Sequence, residues 1–116
     1  MDSLANAIAE DRVDDFIQNF TRDNIAINPS RFMLLIDEIE KIDLPESQEI
    51  ETKRELVNLI LSSFDSSFEW VKLLKRQYVR LCRIARQIND PELHQKIRET
   101  ARRHYPKIKI EKFTGD

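Results

Sequence analysis

The chain has 116 residues, of which 41% are apolar and 34% charged, and its formal net charge is −2. This length is enough for one domain with its own core, and the apolar fraction excludes a disordered tail. The single glycine, Gly115, excludes glycine-rich phosphate loops, while one cysteine and two histidines exclude an internal disulfide and a Cys/His zinc site.

The spacing of apolar residues predicts an all-α fold: a single domain over residues 1–116, built as a bundle of five helices with a short extended C-terminal tail. β-Hairpins are not expected, because no glycine lies inside the fold to supply positive φ angles. The start of the chain lacks the basic segment of a signal peptide, and no apolar run is long enough to span a bilayer. We therefore expect a cytoplasmic protein without membrane contact.

The first predicted helix covers residues 3–20, where apolar residues recur at helical spacing. An Asn-Pro pair at 28 and 29 predicts the start of the second helix, over 29–41, since proline suits the first helical position. An Asp-Leu-Pro break then precedes the third predicted helix, over 45–64.

The segment Ser66-Ser67-Phe68-Glu69 has the form of a capping box and predicts a fourth helix over 67–88. A second cap-then-proline signal, Asn-Asp-Pro-Glu at 89–92, predicts the fifth helix over 91–105. The tail, 106–116, alternates charge and isoleucine and could be loose or could pair with a partner as an extended strand.

Charge is distributed unevenly along the chain. Residues 1–65 contain 6 Lys/Arg against 15 Asp/Glu, a net of −9, whereas residues 66–116 contain 13 against 6, a net of +7. This asymmetry favours an oriented partner or a polyanion bound on one side.

The fourth predicted helix is the most basic part of the sequence. On a helical wheel its cations fall within an arc of about 140°, while leucine, isoleucine and tyrosine take the opposite side. Such a face suits contact with phosphates along a nucleic-acid backbone, without sequence preference. We call this set the basic ridge; its members are Lys72, Lys75, Arg76, Arg80, Arg83 and Arg86.

Arg102 and Arg103 extend the positive surface onto the fifth predicted helix, and we include them among the candidate nucleic-acid-binding residues. Tyr105 and Phe113 lie among the later cations and could stack on bases, although aromatic residues at helix ends more often close a core. The alternative for the whole ridge is intramolecular pairing. Its partners would then be the acidic patches at Glu10, Asp11, Asp14 and Asp15 and at Asp37, Glu38 and Glu40.

Catalytic signals are sparse. His94 and His104 do not share a helix face, and Cys82 lies at the border of an apolar face, where a free cysteine behaves as a small hydrophobic residue. The segment from Arg98 to His104 resembles the Arg-x4–6-His signature of the HEPN family of helical nucleotide-binding or RNA-cleaving domains. That resemblance implies that Arg98 stabilises phosphate charge and that His104 transfers a proton.

As a whole, a small glycine-poor helical chain with a basic ridge resembles the small subunits of class 1 CRISPR (Cascade-like) surveillance complexes. The resemblance implies a non-enzymatic subunit that holds a nucleic-acid backbone on its basic half and contacts other protein subunits through its acidic half. No small-molecule cofactor or metal is expected, and the choice between RNA and DNA stays open. The alternative is a protein-interaction module, such as an adaptor, inhibitor or immunity protein, whose charge asymmetry steers a protein partner.

Overall fold

The computed structural model describes residues 4–24, 31–64 and 73–107, and within these ranges every regular element is a helix. The all-α class is therefore confirmed, but the described residues form six helices where five were predicted. In chain order they are α1 (Leu4–Ala9), α2 (Val13–Asn24), α3 (Arg31–Glu40), α4 (Glu46–Ser63), α5 (Lys75–Gln87) and α6 (Pro91–His104).

The sixth helix arises because the first predicted helix, 3–20, is interrupted at Asp11, which has a φ of 55°. The Arg12 amide donates to the Ala7 carbonyl at 2.7 Å, and the Asp11 amide donates to the Ile8 carbonyl at 3.2 Å. These two bonds form a Schellman motif, which ends a helix with one left-handed residue. Aspartate tolerates that conformation better than most residues, so the chain ends α1 here without a glycine.

The fourth predicted helix, 67–88, also differs, because residues 73 and 74 are not helical and α5 begins at Lys75. Leu74 is extended (φ −71°, ψ 153°), and its amide donates to the side-chain oxygen of Gln77 at 2.7 Å. The fully buried Gln77 therefore supplies the polar group at this helix start. The capping box predicted at 66–69 lies outside the described residues.

The first predicted helix ends four residues later than expected, at Asn24, and the remaining helix boundaries agree with the sequence to within two residues. Asp90 accepts a hydrogen bond from the Leu93 amide at 3.0 Å and Pro91 opens α6, as the cap-then-proline signal predicted. Asn89, with a φ of 56°, ends α5 in a second Schellman motif. The Asn28-Pro29 signal and tail residues 108–116 lie outside the described residues.

The core is continuous across the helices. Phe20, Phe32 and Phe64 form a chain of edge-to-face ring contacts, each with centroids 5.0 Å apart, which joins α2, α3 and the end of α4. Helix α2 packs on α4, α3 packs on α5, and α5 and α6 form an antiparallel pair. Cys82 is fully buried in this core, as expected of a free cysteine that packs as a small hydrophobic residue.

None of the helices in the described ranges combines the length and hydropathy that crossing a bilayer requires.

Candidate nucleic-acid interface

Helices α5 and α6 are held together at both ends. At the connecting loop, Asp90 caps α6 and also accepts a hydrogen bond from Arg54 of α4 at 2.6 Å. Burial would raise the pKa of the Asp90 carboxyl, but the hydrogen bonds from the Leu93 amide and Arg54 outweigh it and lower that pKa. This end of the pair is therefore fixed to α4 by an ionised carboxylate.

At the opposite end, a cluster of three rings joins the start of α5 to the end of α6. The Tyr78 hydroxyl lies 2.7 Å from Nδ1 of His104, and the Tyr105 hydroxyl donates to the Leu73 carbonyl at 2.7 Å. The rings of Tyr78 and Tyr105 meet edge to face with centroids 6.2 Å apart. Burial raises the pKa of both tyrosine hydroxyls, so both are neutral at physiological pH.

Five exposed cations lie in the two segments that this ring cluster joins, and we call them the basic end. Lys75 Nζ lies 5.7 Å from the centre of the Tyr105 ring, and Arg103 donates to the hydroxyl of Thr100 at 3.3 Å. Neither α5 nor the segment 100–107 contains an acidic residue, although Glu99 lies one helical turn before Arg102 and Arg103. The members of the basic end are Lys75, Arg76, Arg102, Arg103 and Lys107.

The middle of the basic ridge has a different environment, which we call the α3–α5 ion-pair cluster. Arg80 Nε donates to Glu40 Oε1 at 2.8 Å, and the same guanidinium pairs with Asp37. Arg83 contacts both oxygens of Glu40, at 3.2 and 3.3 Å. Two of the six ridge cations thus have the intramolecular acidic partners that the sequence left open as an alternative.

The cluster favours the charged forms of Glu40 and Arg80. Partial burial would raise the pKa of Glu40, but the hydrogen bonds from Arg80 and Arg83 outweigh it and lower that pKa. The hydrogen bond to Glu40 raises the pKa of Arg80 against the opposing effect of its own burial. The side chain of Glu40 is only 15% exposed, whereas that of Arg83 is 50% exposed.

The remaining predicted site residues are dispersed. Arg86 is exposed at the far end of α5, beside a pocket of about 250 Å³ that it lines together with Asn89 and His94. Lys72 and Phe113 lie outside the described residues. In the acidic patch of the first predicted helix, Glu10 pairs with Arg12 and Asp14 accepts a hydrogen bond from Gln18 at 3.0 Å.

The two residues of the HEPN-like segment lie on α6. His104 is 6% exposed and its Nδ1 is engaged with Tyr78, while Arg98 is half-buried. An imidazole with this exposure presents little surface to a substrate. Across residues 4–24, 31–64 and 73–107, no three His, Cys, Asp or Glu side chains are grouped closely enough to hold a metal ion.

An apolar groove of about 450 Å³ lies on the acidic half of the molecule, between α1 and the segment that follows α3. Ile8 and Leu4 form one wall, and Ile42 and Leu44 form the other. On α3, Leu34 is 66% exposed, one turn before the groove residue Glu38. The sequence did not point to this groove, because one wall comes from the first predicted helix, where apolar residues were assigned to a buried face, and the other comes from the break between the second and third predicted helices.

Sequence reasoning left the pairing of α3 with α5 open as an alternative, although the sequence holds a more specific signal for it. Asp37 and Glu40 are three residues apart, as are Arg80 and Arg83, so each pair lies on one face of its helix. Only the packing of α3 on α5 brings the two faces together.

Comparison of the chain with protein-family models, with curated proteins and with solved structures finds no match.

Proposed function

We propose that the protein binds the backbone of a nucleic acid at the basic end, without sequence preference and without catalysis. The observation that supports this proposal most directly is that five exposed cations lie on the two segments that the ring cluster joins, α5 and residues 100–107. The ring cluster of Tyr78, His104 and Tyr105 fixes the two segments relative to each other, so the cations are presented on a rigid support.

Phosphate binding needs this combination of exposure and fixed backbone. Lysine and arginine on exposed positions can adjust to irregularly spaced phosphates, and the release of counterions from the polyanion supplies the affinity. Tyr105 is held by the Leu73 carbonyl and by Lys75 above its ring, so its part in this proposal is support and not base stacking. Binding is therefore expected to depend steeply on salt and little on base identity.

The proposed setting is a nucleoprotein assembly, in line with the resemblance to the small subunits of class 1 CRISPR complexes. The basic half would contact the nucleic acid and the acidic half would contact neighbouring protein subunits. A net charge of −2 suits a subunit that protein contacts recruit to nucleic acid better than it suits a free nucleic-acid binder. RNA and DNA are both compatible with a surface that contacts only phosphates.

The test is equilibrium binding of labelled oligothymidine, of the matching RNA and of duplex DNA across salt from about 50 to 200 mM. The variant Arg76→Gln/Arg102→Gln should lower the log–log salt slope by about 1.4 for single strands, as expected when two phosphate contacts are lost. The control Lys41→Gln/Lys96→Gln removes the same charge from exposed positions elsewhere and should leave the slope unchanged. Equal slopes in both variants would overturn the assignment of the basic end.

A second candidate, the protein-interaction module, is favoured by the apolar groove and by the exposed Leu34. A large exposed leucine beside an apolar groove is typical of a surface that a protein partner covers. In that case binding to the partner would survive high salt, and Leu34→Glu would abolish it. Under the nucleic-acid proposal, Leu34→Glu leaves oligonucleotide binding unchanged.

The HEPN-like ribonuclease is the third hypothesis. It requires His104 to leave its contact with Tyr78 and approach a scissile phosphate. Cleavage of a labelled RNA by the purified protein, lost on His104→Ala and retained on Arg76→Gln, would support it. Absence of cleavage by concentrated protein would leave the non-enzymatic proposal.

A further inference from the structure

The α3–α5 ion-pair cluster lies on the same helix as part of the basic end. Arg76, Arg80 and Arg83 are spaced at i, i+4 and i+7 on α5, and on a helical wheel they lie within about 60° of one another. From Arg76 to Arg83 the helix advances about 10 Å. Yet Arg76 belongs to the exposed basic end, whereas Arg80 and Arg83 are hydrogen-bonded to the carboxylate of Glu40 on α3.

The carboxylates of α3 accept the same kind of hydrogen bonds from arginine that a phosphate would accept. Glu40 receives hydrogen bonds from two guanidinium groups, at 2.8 Å from Arg80 and at 3.2 Å from Arg83, and Asp37 adds a second carboxylate on Arg80. Guanidinium groups bind carboxylate and phosphate oxygens through the same forked hydrogen bonds. A phosphate approaching this row therefore meets arginines that are already bound to anions.

The outer side of the α3–α5 ion-pair cluster is accessible to solvent. Arg83 is 50% exposed and Asp37 39% exposed, while Glu40 and Arg80 are covered to a greater extent, at 15% and 22% exposed. Ion pairs with this exposure contribute little net stability, because water and salt ions solvate the separated charges well. A polymer that already contacts the basic end could compete for the arginines, since its next phosphates are present at high effective concentration.

We infer that the polyanion footprint extends from the basic end along α5 to Arg80 and Arg83, and that Asp37 and Glu40 compete with phosphate for these two arginines. This inference rests on the proposed function and defines its ligand more closely. The fitting ligand is a continuous phosphate backbone, because a mononucleotide or inorganic phosphate gains no advantage over carboxylates tethered to α3. The competing carboxylates would weaken binding and make it selective for polymers.

The experiment replaces the competing carboxylates by neutral groups of the same shape in Asp37→Asn/Glu40→Gln. The control Asp14→Asn/Asp15→Asn removes the same charge from the first turn of α2, a helix that packs chiefly on α4. Binding of labelled oligothymidine is measured for both variants across salt, and circular dichroism with thermal melts confirms that each is folded. A third variant carries the α3 changes together with Arg80→Gln/Arg83→Gln.

The variant without the α3 carboxylates should bind more tightly than wild type, and its salt slope should be steeper by about 1.4, the value for two added contacts to a single strand. Its affinity should then fall about sevenfold more than that of wild type between about 50 and 200 mM salt. The α2 control should keep the wild-type slope, and the third variant should lose the gain. Inorganic phosphate should not compete in wild type at concentrations that merely match the oligonucleotide phosphate.

The outcomes separate this inference from the proposed function. If wild type binds and the α3 variant keeps its slope, the competition is refuted while the basic end stands. If wild type does not bind but the α3 variant does, the carboxylates mask the surface and the inference holds. If neither binds at about 50 mM salt, both proposals are overturned.

Discussion

The Tyr78 hydroxyl lies 2.7 Å from Nδ1 of His104, a buried contact that joins the first turns of α5 to the last turn of α6. This contact fixes the relative positions of surface cations, because the cations of the basic end belong to the two segments that it holds together. The Tyr105–Leu73 hydrogen bond closes the same region from the other side. Loss of the ring cluster would allow the two halves of the basic end to separate.

The two tyrosines should titrate abnormally. They are the only tyrosines in the chain, and burial raises the pKa of both hydroxyls. A raised folded-state pKa contributes stability that is complete below the ordinary value of about 10 and is lost as pH rises through the folded value. Tyrosinate absorbance should therefore appear late, together with the loss of the helical circular dichroism signal.

The variant Tyr105→Phe serves as the control for that titration, since it leaves the more deeply buried Tyr78 as the only tyrosine in the chain. In this variant the absorbance change should still coincide with unfolding. A normal tyrosine titration near pH 10, with the helical signal intact, would contradict the ring cluster.

The α3–α5 ion-pair cluster should make stability depend on acid pH through Glu40. Because its pKa is lowered in the folded state, its contribution is complete above the ordinary value of about 4.3 and is lost as pH falls through the folded value. Glu40→Gln should lower the free energy of unfolding by about 1 kcal/mol near neutral pH. The difference from wild type should shrink as the pH falls below about 4.

Urea denaturation at several pH values measures this difference, and Glu38→Gln is the matched control. Glu38 lies two residues earlier on α3 and is exposed, so its replacement should change stability by no more than about 0.5 kcal/mol. A loss in Glu40→Gln that persists unchanged at acid pH would show that ionisation of Glu40 does not contribute to the cluster.

Truncation should destabilise the protein strongly at one position of α3 and very little at a position two residues later. Phe32 is fully buried between the rings of Phe20 and Phe64, so Phe32→Ala should cost about 3–5 kcal/mol. Leu34 is 66% exposed, and Leu34→Ala should change stability by no more than about 0.5 kcal/mol. Chemical denaturation of both variants tests the orientation of α3, and similar losses at the two positions would contradict it.

The sequence predicted the elements that local signals determine. Asp90 and Pro91 start α6 as expected, because side-chain capping and the fixed φ of proline act within a few residues. The break at Asp11 was missed because the scarcity of glycine was taken to exclude positive φ angles, whereas Asp11 and Asn89 both adopt them. The late start of α5 was missed because its N-cap is Leu74, an apolar residue that no capping pattern marks, and Gln77 three residues later provides the hydrogen bond there.

Prediction of the candidate site from the sequence is limited in a similar way. The helical wheel predicted one solvent-exposed helix face for Lys75, Arg76, Arg80 and Arg83. That prediction depends on helical periodicity alone. Which of those cations meet carboxylates depends on the helix that packs beside them, and a single helix does not encode that neighbour. The equal spacing of Asp37 and Glu40 with Arg80 and Arg83 was the one available signal.

The most direct test of the central claim is a titration of the isotope-labelled protein with oligothymidine, followed by backbone amide chemical shifts at low salt. We predict that the largest changes cluster at residues 75–78 and 102–107 and that they disappear as salt is raised. Changes centred on Leu4, Ile8 and Ile42, or none at all, would contradict the basic end as the nucleic-acid interface.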